Sequence, residues 1–100
     1  MTATDVLTGL PGEALVREGL DDIEAGRRTI AALVASVARP RLERIGLIRP
    51  DAITVEHAEL ELYRLLRRHG GDAYGRYNAL LRELTSFEQA LDRRIRRSAS

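Results

Sequence analysis

Residues 76–97 read RYNALLRELTSFEQALDRRIRR and contain neither proline nor glycine. Large apolar side chains recur in this stretch at alternating spacings of three and four, which is the period of one buried helix face. The members of this heptad seam are Tyr77, Leu80, Leu84, Phe87 and Leu91. The pattern predicts a helix that begins at the capping residue Asp72 and continues for about 26 residues, or about 39 Å at 1.5 Å per residue.

A helix of this length is large for a chain of 100 residues, because a domain of that size should have a radius of gyration near 13 Å. We therefore expect the end of the helix to project beyond the domain and one copy to cover its seam only in part. Tyr77 and Phe87 also suit packing in the core, whereas Tyr63 and Tyr74 lie beside a glycine turn and suit a contact surface. The predicted interaction residues are Tyr74, Tyr77, Leu84, Phe87 and Leu91.

The preceding segments also have helical periodicity. A fourth helix is predicted to run through Leu60 and Leu66 and to end at Gly70. Only Gly70 and Gly71 then separate it from the last helix, and so short a connection predicts an antiparallel hairpin.

Three shorter helices are predicted nearer the amino terminus. The first begins at Pro11 and stops at Gly26, and the second covers 30–37 with Thr29 as its cap. Proline suits the start of a third helix, 40–45, which is followed by an extended connection near 48–54. Residues 1–9 are expected to be a flexible lead-in, with Val6 and Leu7 packing on the body. The prediction is a single all-α domain over 1–100, orthogonal or bundle-like, with about five helices.

Composition excludes several classes of protein. The chain is 44% hydrophobic, which is too much for a disordered tail, and 31% charged, which is too much for a membrane protein. Its longest charge-free apolar-rich run, Thr29–Ala38, is about half the length of a membrane-spanning helix. The absence of cysteine removes disulfides, thiolate metal sites and thiol nucleophiles. With no signal peptide expected at the amino terminus, we expect a cytoplasmic protein that does not enter a membrane.

Charge is arranged in blocks although the formal net charge is only +1. All 16 basic residues are arginine, and 15 residues are acidic. The successive blocks are Met1–Gly26 at −5, Arg27–Pro50 at +5, Asp51–Leu62 at −4 and Tyr63–Ser100 at +5. Blocks of opposite sign should attract each other within one copy or between copies.

Few residues suggest catalysis. His57 and Glu61 share a helix face at a spacing of four, but two ligands do not make a metal site. The glycines at 70, 71 and 75 precede a helix without the strand or spacing of a phosphate-binding loop. We therefore assign no catalytic, cofactor-binding or metal-binding residue and expect a protein that is not an enzyme.

Arginine clusters leave nucleic-acid binding open as an alternative. The second and third helices resemble a helix-turn-helix carrying Arg39, Arg41, Arg44 and Arg49, but the second helix of the pair is only about six residues long. Arginines also cluster at the end of the last helix, where they suit either phosphate groups or the helix dipole. These candidate nucleic-acid contacts are Arg93, Arg94, Arg96 and Arg97.

The sequence therefore predicts a noncatalytic helical protein-interaction module that forms a homodimer through its long last helix. The alternatives are an arginine-mediated nucleic-acid-binding protein and a small regulatory protein that binds another protein. No cofactor is expected in any of the three cases.

Overall fold

The computed structural model describes residues 6–52 and 54–99, without the side chains of residues 98 and 99. Within these ranges the chain forms five helices and no strand, which confirms the predicted all-α class. The helices are α1 (Glu13–Glu24), α2 (Ile30–Val37), α3 (Arg39–Arg44), α4 (Ala58–His69) and α5 (Ala73–Ala99).

Helix α2 is the centre of the fold, since residues 31–36 are all buried and each of the other four helices contacts it. Helix α1 approaches α2 closely at Gly19. A methyl group on Gly19 would overlap the carbonyl oxygen of Ala31 and would lie 2.8 Å from the Cβ of Ala35. Small residues on both helices therefore allow this approach, which no larger side chain at Gly19 would permit.

The connection between α1 and α2 is organised around the buried carboxylate of Asp22. The hydroxyl of Thr29 donates to Asp22 at 2.5 Å, and Arg27 Nε donates to it at 2.9 Å. These two hydrogen bonds, first that of Thr29 and then that of Arg27, lower the pKa of the Asp22 carboxyl. Thr29 Oγ1 also accepts from the backbone N–H of Ala32 at 3.1 Å, so the predicted cap of α2 is confirmed.

The connection between α3 and α4 is longer than the sequence suggested. Helix α4 begins only at Ala58, because His57 before it adopts a left-handed conformation with φ 54°. Arg39 stabilises this connection: its Nη2 donates to the carbonyl of Pro50 at 2.9 Å and its Nη1 to the hydroxyl of Thr54. A side chain of α3 thereby holds the segment that leads into α4.

Helices α4 and α5 are joined by a three-residue turn. Gly70 and Gly71 have positive φ angles of 81° and 73°, and the carboxylate of Asp72 accepts from Gly75 N–H at 2.9 Å. Beyond the turn, the rings of Tyr63 and Tyr77 meet edge to face with their centroids 5.6 Å apart. The turn and this ring contact hold the two helices together.

Helix α5 defines the longest dimension of the molecule. Its 27 residues span about 40 Å at 1.5 Å per residue, and the molecule measures 45 × 27 × 19 Å with a radius of gyration of 13.5 Å. The expectation that one copy covers the seam only in part is wrong for Leu84, Phe87 and Leu91, which are buried. That the end projects stays a prediction, since Arg96 and Arg97 in the last turns of the helix are exposed. Its carboxyl half contacts α3 through Arg41 and the amino-terminal segment through Arg94.

The amino-terminal segment closes the core beside α5. Residues 1–5 of the predicted lead-in lie outside the described residues. Leu7 is wholly buried in the main core, Val6 is half-buried, and Gly9 N–H donates to Glu13 at 2.9 Å. Residues 6–9 therefore pack on the body of the domain.

Candidate interaction surface

The structure divides the predicted interaction residues into two groups. Leu84, Phe87 and Leu91 are buried in the core of the same chain. They are therefore unavailable as a contact surface, and their assignment to one is corrected: the heptad seam of α5 packs against its own domain. Tyr74, by contrast, is 67% exposed.

Tyr77 lies at the edge of the core. It is half-buried, and its ring packs on Tyr63. Burial raises the pKa of the Tyr77 phenol, and the negative charge of Glu59 raises it further. The phenol therefore stays neutral at physiological pH, and Tyr77 links α4 to α5 as a packing residue.

The four arginines at the end of α5 have different surroundings. Arg94 Nη1 donates to the carbonyl of Val6 at 2.9 Å and to that of Thr8. Arg93, Arg96 and Arg97 are exposed. Arg94 therefore binds the amino-terminal segment, which leaves three of the four arginines at the surface.

A groove of about 330 Å³ lies between α3 and the carboxyl half of α5. Half-buried Ile45 and Ile95 and buried Leu91 form its apolar part. Three arginines and one aspartate line the remainder, so its formal charge is positive. We call this site the basic groove; its residues are Arg41, Arg44, Ile45, Leu91, Asp92, Ile95 and Arg96.

Two of the arginines that line the basic groove have contrasting contacts. Arg41 donates from Nη1 to Glu88 at 3.1 Å and from Nε to Asp92 at 3.3 Å, which joins α3 to α5. Arg44 is exposed and has no hydrogen-bond or ion-pair partner among the described residues. The guanidinium of Arg44 is therefore available to an anionic group that enters the groove.

A second surface feature lies where α4 begins. Leu60 is 48% exposed and, with Tyr74, is one of two large hydrophobic side chains in the described chain with such exposure. Glu56 and Glu59 are exposed beside it. Arg39 also lines this region, but its Nε is paired with Glu43 at 3.0 Å. We call this surface the acidic patch; its residues are Val37, Pro40, Glu56, His57, Glu59 and Leu60.

A cleft of about 470 Å³ separates the α1–α2 turn from the connection before α4. Arg27, Arg28 and Arg49 line it, and two of the three, Arg27 and Arg49, are paired with carboxylates. Arg27 pairs with Asp22, whereas Arg49 lies 3.3 Å from Glu24 and 3.9 Å from Asp51. Arg28 is exposed and has no hydrogen-bond or ion-pair partner among the described residues. The lining of the cleft nevertheless includes two carboxylates, whereas that of the basic groove includes one, so the cleft is the less cationic of the two.

The residues considered for metal or phosphate chemistry form no such site in the described structure. Glu61 accepts from Arg64 Nη1 at 3.1 Å, while His57 is exposed at the start of α4. Over residues 6–52 and 54–99, no three His, Cys, Asp or Glu side chains are grouped closely enough to hold a metal ion. The side chain of Asp72 occupies the turn before α5, where its carboxylate binds Gly75 N–H.

Sequence reasoning did not identify the basic groove, although two signals pointed to parts of it. Ile95 follows Leu91 at a spacing of four and so extends the apolar face of α5 by one turn. The sequence indicated Arg41 and Arg44 only as possible DNA contacts. The contact between α3 and the end of α5 joins residues about 50 positions apart, and periodicity does not predict such a tertiary contact.

None of the helices in the described part of the chain has an apolar stretch long enough to cross a membrane. Comparison with protein-family models, curated proteins and solved structures found no match for this chain.

Proposed function

We propose that this chain is a noncatalytic protein-interaction module that self-associates through the carboxyl half of α5. The observation that supports it is the basic groove, in which Ile95 of α5 and Ile45 at the end of α3 lie half-exposed beside arginines of both helices. Apolar residues surrounded by charged ones are the usual composition of a protein-binding surface. Of the heptad seam only Leu91 lies at the basic groove, and because it is buried the seam supplies no exposed contact residue to this proposal.

The proposed scaffold is a small bundle-like domain that acts in the cytoplasm. Within it, α4 and α5 form an antiparallel hairpin that holds α5 in place. The three-residue turn and the contact between Tyr63 and Tyr77 support this arrangement. A rigid α5 would present the basic groove without an ordering cost at the moment of binding.

Size-exclusion chromatography with light scattering tests self-association. At about 10 to 100 µM protein, a homodimer should have twice the chain mass of 11.2 kDa. The apparent mass should fall toward that of one chain on dilution, as mass action requires. A single species of one-chain mass at every concentration would contradict the proposal, and a small regulator of a different protein would then be the better hypothesis.

Nucleic-acid binding is a second candidate function, supported by the exposure of Arg93, Arg96 and Arg97 in the last turns of α5. It predicts a mobility shift with DNA or RNA that weakens steeply as salt is raised, because bound phosphates release counterions. Replacing these three arginines with alanine should abolish the shift. Arg94 is left unchanged, since its contacts are structural.

A matched control for that experiment removes the same charge elsewhere. The triple alanine variant of Arg67, Arg68 and Arg76 alters exposed arginines of α4 and α5 and should retain the shift. If both triple variants bind equally, the interaction is nonspecific attraction to positive charge. If the wild type gives no shift at low salt, this second candidate is excluded.

A further inference from the structure

We infer that the dimer is two-fold symmetric and that the acidic patch of each copy docks in the basic groove of the other. We call this reciprocal docking the exchange. This inference rests on the proposed self-association and specifies the surfaces that it uses. The occupant of the basic groove is thus a second copy of this chain, and the segment that enters it is the start of α4.

Charge complementarity is the first support. Glu56 and Glu59 belong to the block Asp51–Leu62, which carries four acidic residues and no arginine. Arg44 in the basic groove and Glu56 in the acidic patch are both exposed, and neither has a partner among the described residues. Bringing the two patches together would pair these charges, whereas two basic grooves facing each other would repel.

Apolar complementarity is the second support. Leu60 is a helical leucine with about half of its surface in contact with water, and it lines the same surface as the two glutamates. The basic groove offers the apolar side chains of Ile45 and Ile95, and Leu60 docked there would be removed from water. One side chain thus supplies the apolar anchor and its neighbours supply the charge.

The positions of the two patches favour a closed pair. Helix α3 contributes to both, since Pro40 lines the acidic patch while Arg41 and Arg44 line the basic groove. In a two-fold dimer, if surface A of one copy contacts surface B of the other, the reverse contact forms at the same time. Patches that both include α3 can make these two contacts side by side.

Other surfaces of the chain fit the basic groove less well. Helix α1 is acidic, but its exposed positions hold Ala14, Glu18, Asp21 and Glu24, with no large apolar residue among them. Tyr74 is exposed and largely apolar, but Asp72 and Arg76 on either side of it in the sequence carry opposite charges, so its surroundings are not acidic. Only the acidic patch combines an exposed leucine with unopposed carboxylates in the described structure.

Charge reversal tests the exchange. Arg44→Glu places like charges opposite Glu56 in both contacts of its homodimer, and Glu56→Arg does the same opposite Arg44. Each single variant should weaken self-association at least about tenfold. An equimolar mixture of the two variants should restore it, because every contact in the mixed dimer then joins opposite charges. Native mass spectrometry measures the homodimers and the mixed dimer.

Restoration in the mixture also shows that both variants are folded. Glu56 precedes α4, so its replacement leaves the acidic first turn of that helix intact. Arg82→Glu and Glu18→Arg are the matched controls, since both reverse an exposed charge outside the two patches. They should self-associate like the wild type.

Two outcomes separate the inference from the proposed function. If the wild type is monomeric at all concentrations, self-association itself fails and the exchange fails with it. If the wild type is dimeric but Arg44→Glu and Glu56→Arg leave the dimer unchanged, the exchange is wrong and self-association stands. Leu60→Asp should also dissociate the dimer. If Tyr74→Asp dissociates the dimer and Leu60→Asp does not, the contact lies at the α4–α5 turn instead.

Discussion

Gly19 shows how one missing side chain positions two helices. Gly19→Ala would add a methyl group that overlaps the carbonyl oxygen of Ala31, so α1 would have to move away from α2. We expect a loss of about 1 to 3 kcal/mol in the free energy of unfolding, the usual cost of overpacking, measured by urea denaturation. Glu18→Ala, on the exposed side of α1, should change it by no more than about 0.5 kcal/mol. Equal stability of Gly19→Ala and wild type would show that α1 can shift at no cost.

Asp22 makes the α1–α2 connection sensitive to acid. The hydrogen bonds from Thr29 and Arg27 lower the pKa of its carboxyl in the folded state. Such a group stabilises the fold above the unfolded-state pKa, about 4, and this stabilisation is lost as pH falls through the lower folded-state pKa. Thermal melts from pH 7 down to pH 2.5 should therefore show a smaller acid-induced loss for Asp22→Asn than for the wild type.

A second carboxyl contributes to the same acid dependence. The pKa of Glu13 is also lowered, first by the N–H of Gly9 and then by the side chain of Arg17. Asp22→Asn should therefore retain the part of the acid loss that is due to Glu13, and Glu13→Gln should retain the part due to Asp22. If Asp22→Asn and the wild type lose stability in parallel over the whole range, Asp22 makes no contribution.

At the scale of the helix, periodicity predicted which side chains of α5 form one apolar face, but not whether the same chain covers that face. The spacing of Leu84, Phe87 and Leu91 correctly predicted one continuous helix, yet the same spacing suits a coiled-coil contact and a buried core. The choice between them depends on the amino-terminal segment, which contacts Arg94 from 86 and 88 positions away. No local sequence pattern near residues 6–8 predicts that contact. Likewise, the late start of α4 follows from the left-handed conformation of His57, which is rare outside glycine.

The link between α5 and the amino-terminal segment is testable at Arg94. Arg94→Ala would leave the carbonyls of Val6 and Thr8 without their donor, so this segment should open more often. We expect faster hydrogen–deuterium exchange in residues 6–10 and a loss of about 1 to 3 kcal/mol in the free energy of unfolding. Arg93→Ala, exposed on the same turn, should leave both quantities unchanged. Unchanged exchange in Arg94→Ala would mean that burial of Leu7 alone holds the segment.

At the scale of the whole molecule, ion pairs join segments that are far apart in the sequence. Arg49 pairs with Glu24, which joins the positive block Arg27–Pro50 to the negative block Met1–Gly26 as the sequence suggested. Arg41 pairs with Glu88 and Asp92, which lie in another block of net positive charge, so these two pairs do not follow the block pattern. All three pairs are partly exposed and stabilise the fold by about 0 to 1 kcal/mol each. Because each pair brings opposite charges together, the pairs determine which charged side chains remain unpaired at the surface. The charge blocks therefore account for one of these three pairs, while the other two and the position of the basic groove required the tertiary structure.

The proposed dimer should for this reason depend on salt more strongly than the fold does. Raising sodium chloride from about 50 mM to about 500 mM shortens the screening length to a few ångströms, which weakens attraction between the acidic patch and the basic groove. We expect the dimer dissociation constant to rise about tenfold, measured by sedimentation over a concentration series. The melting temperature of monomeric Leu60→Asp should change little, because its core is apolar. A dissociation constant that is independent of salt would contradict a charge-paired interface and would leave apolar contact as its basis.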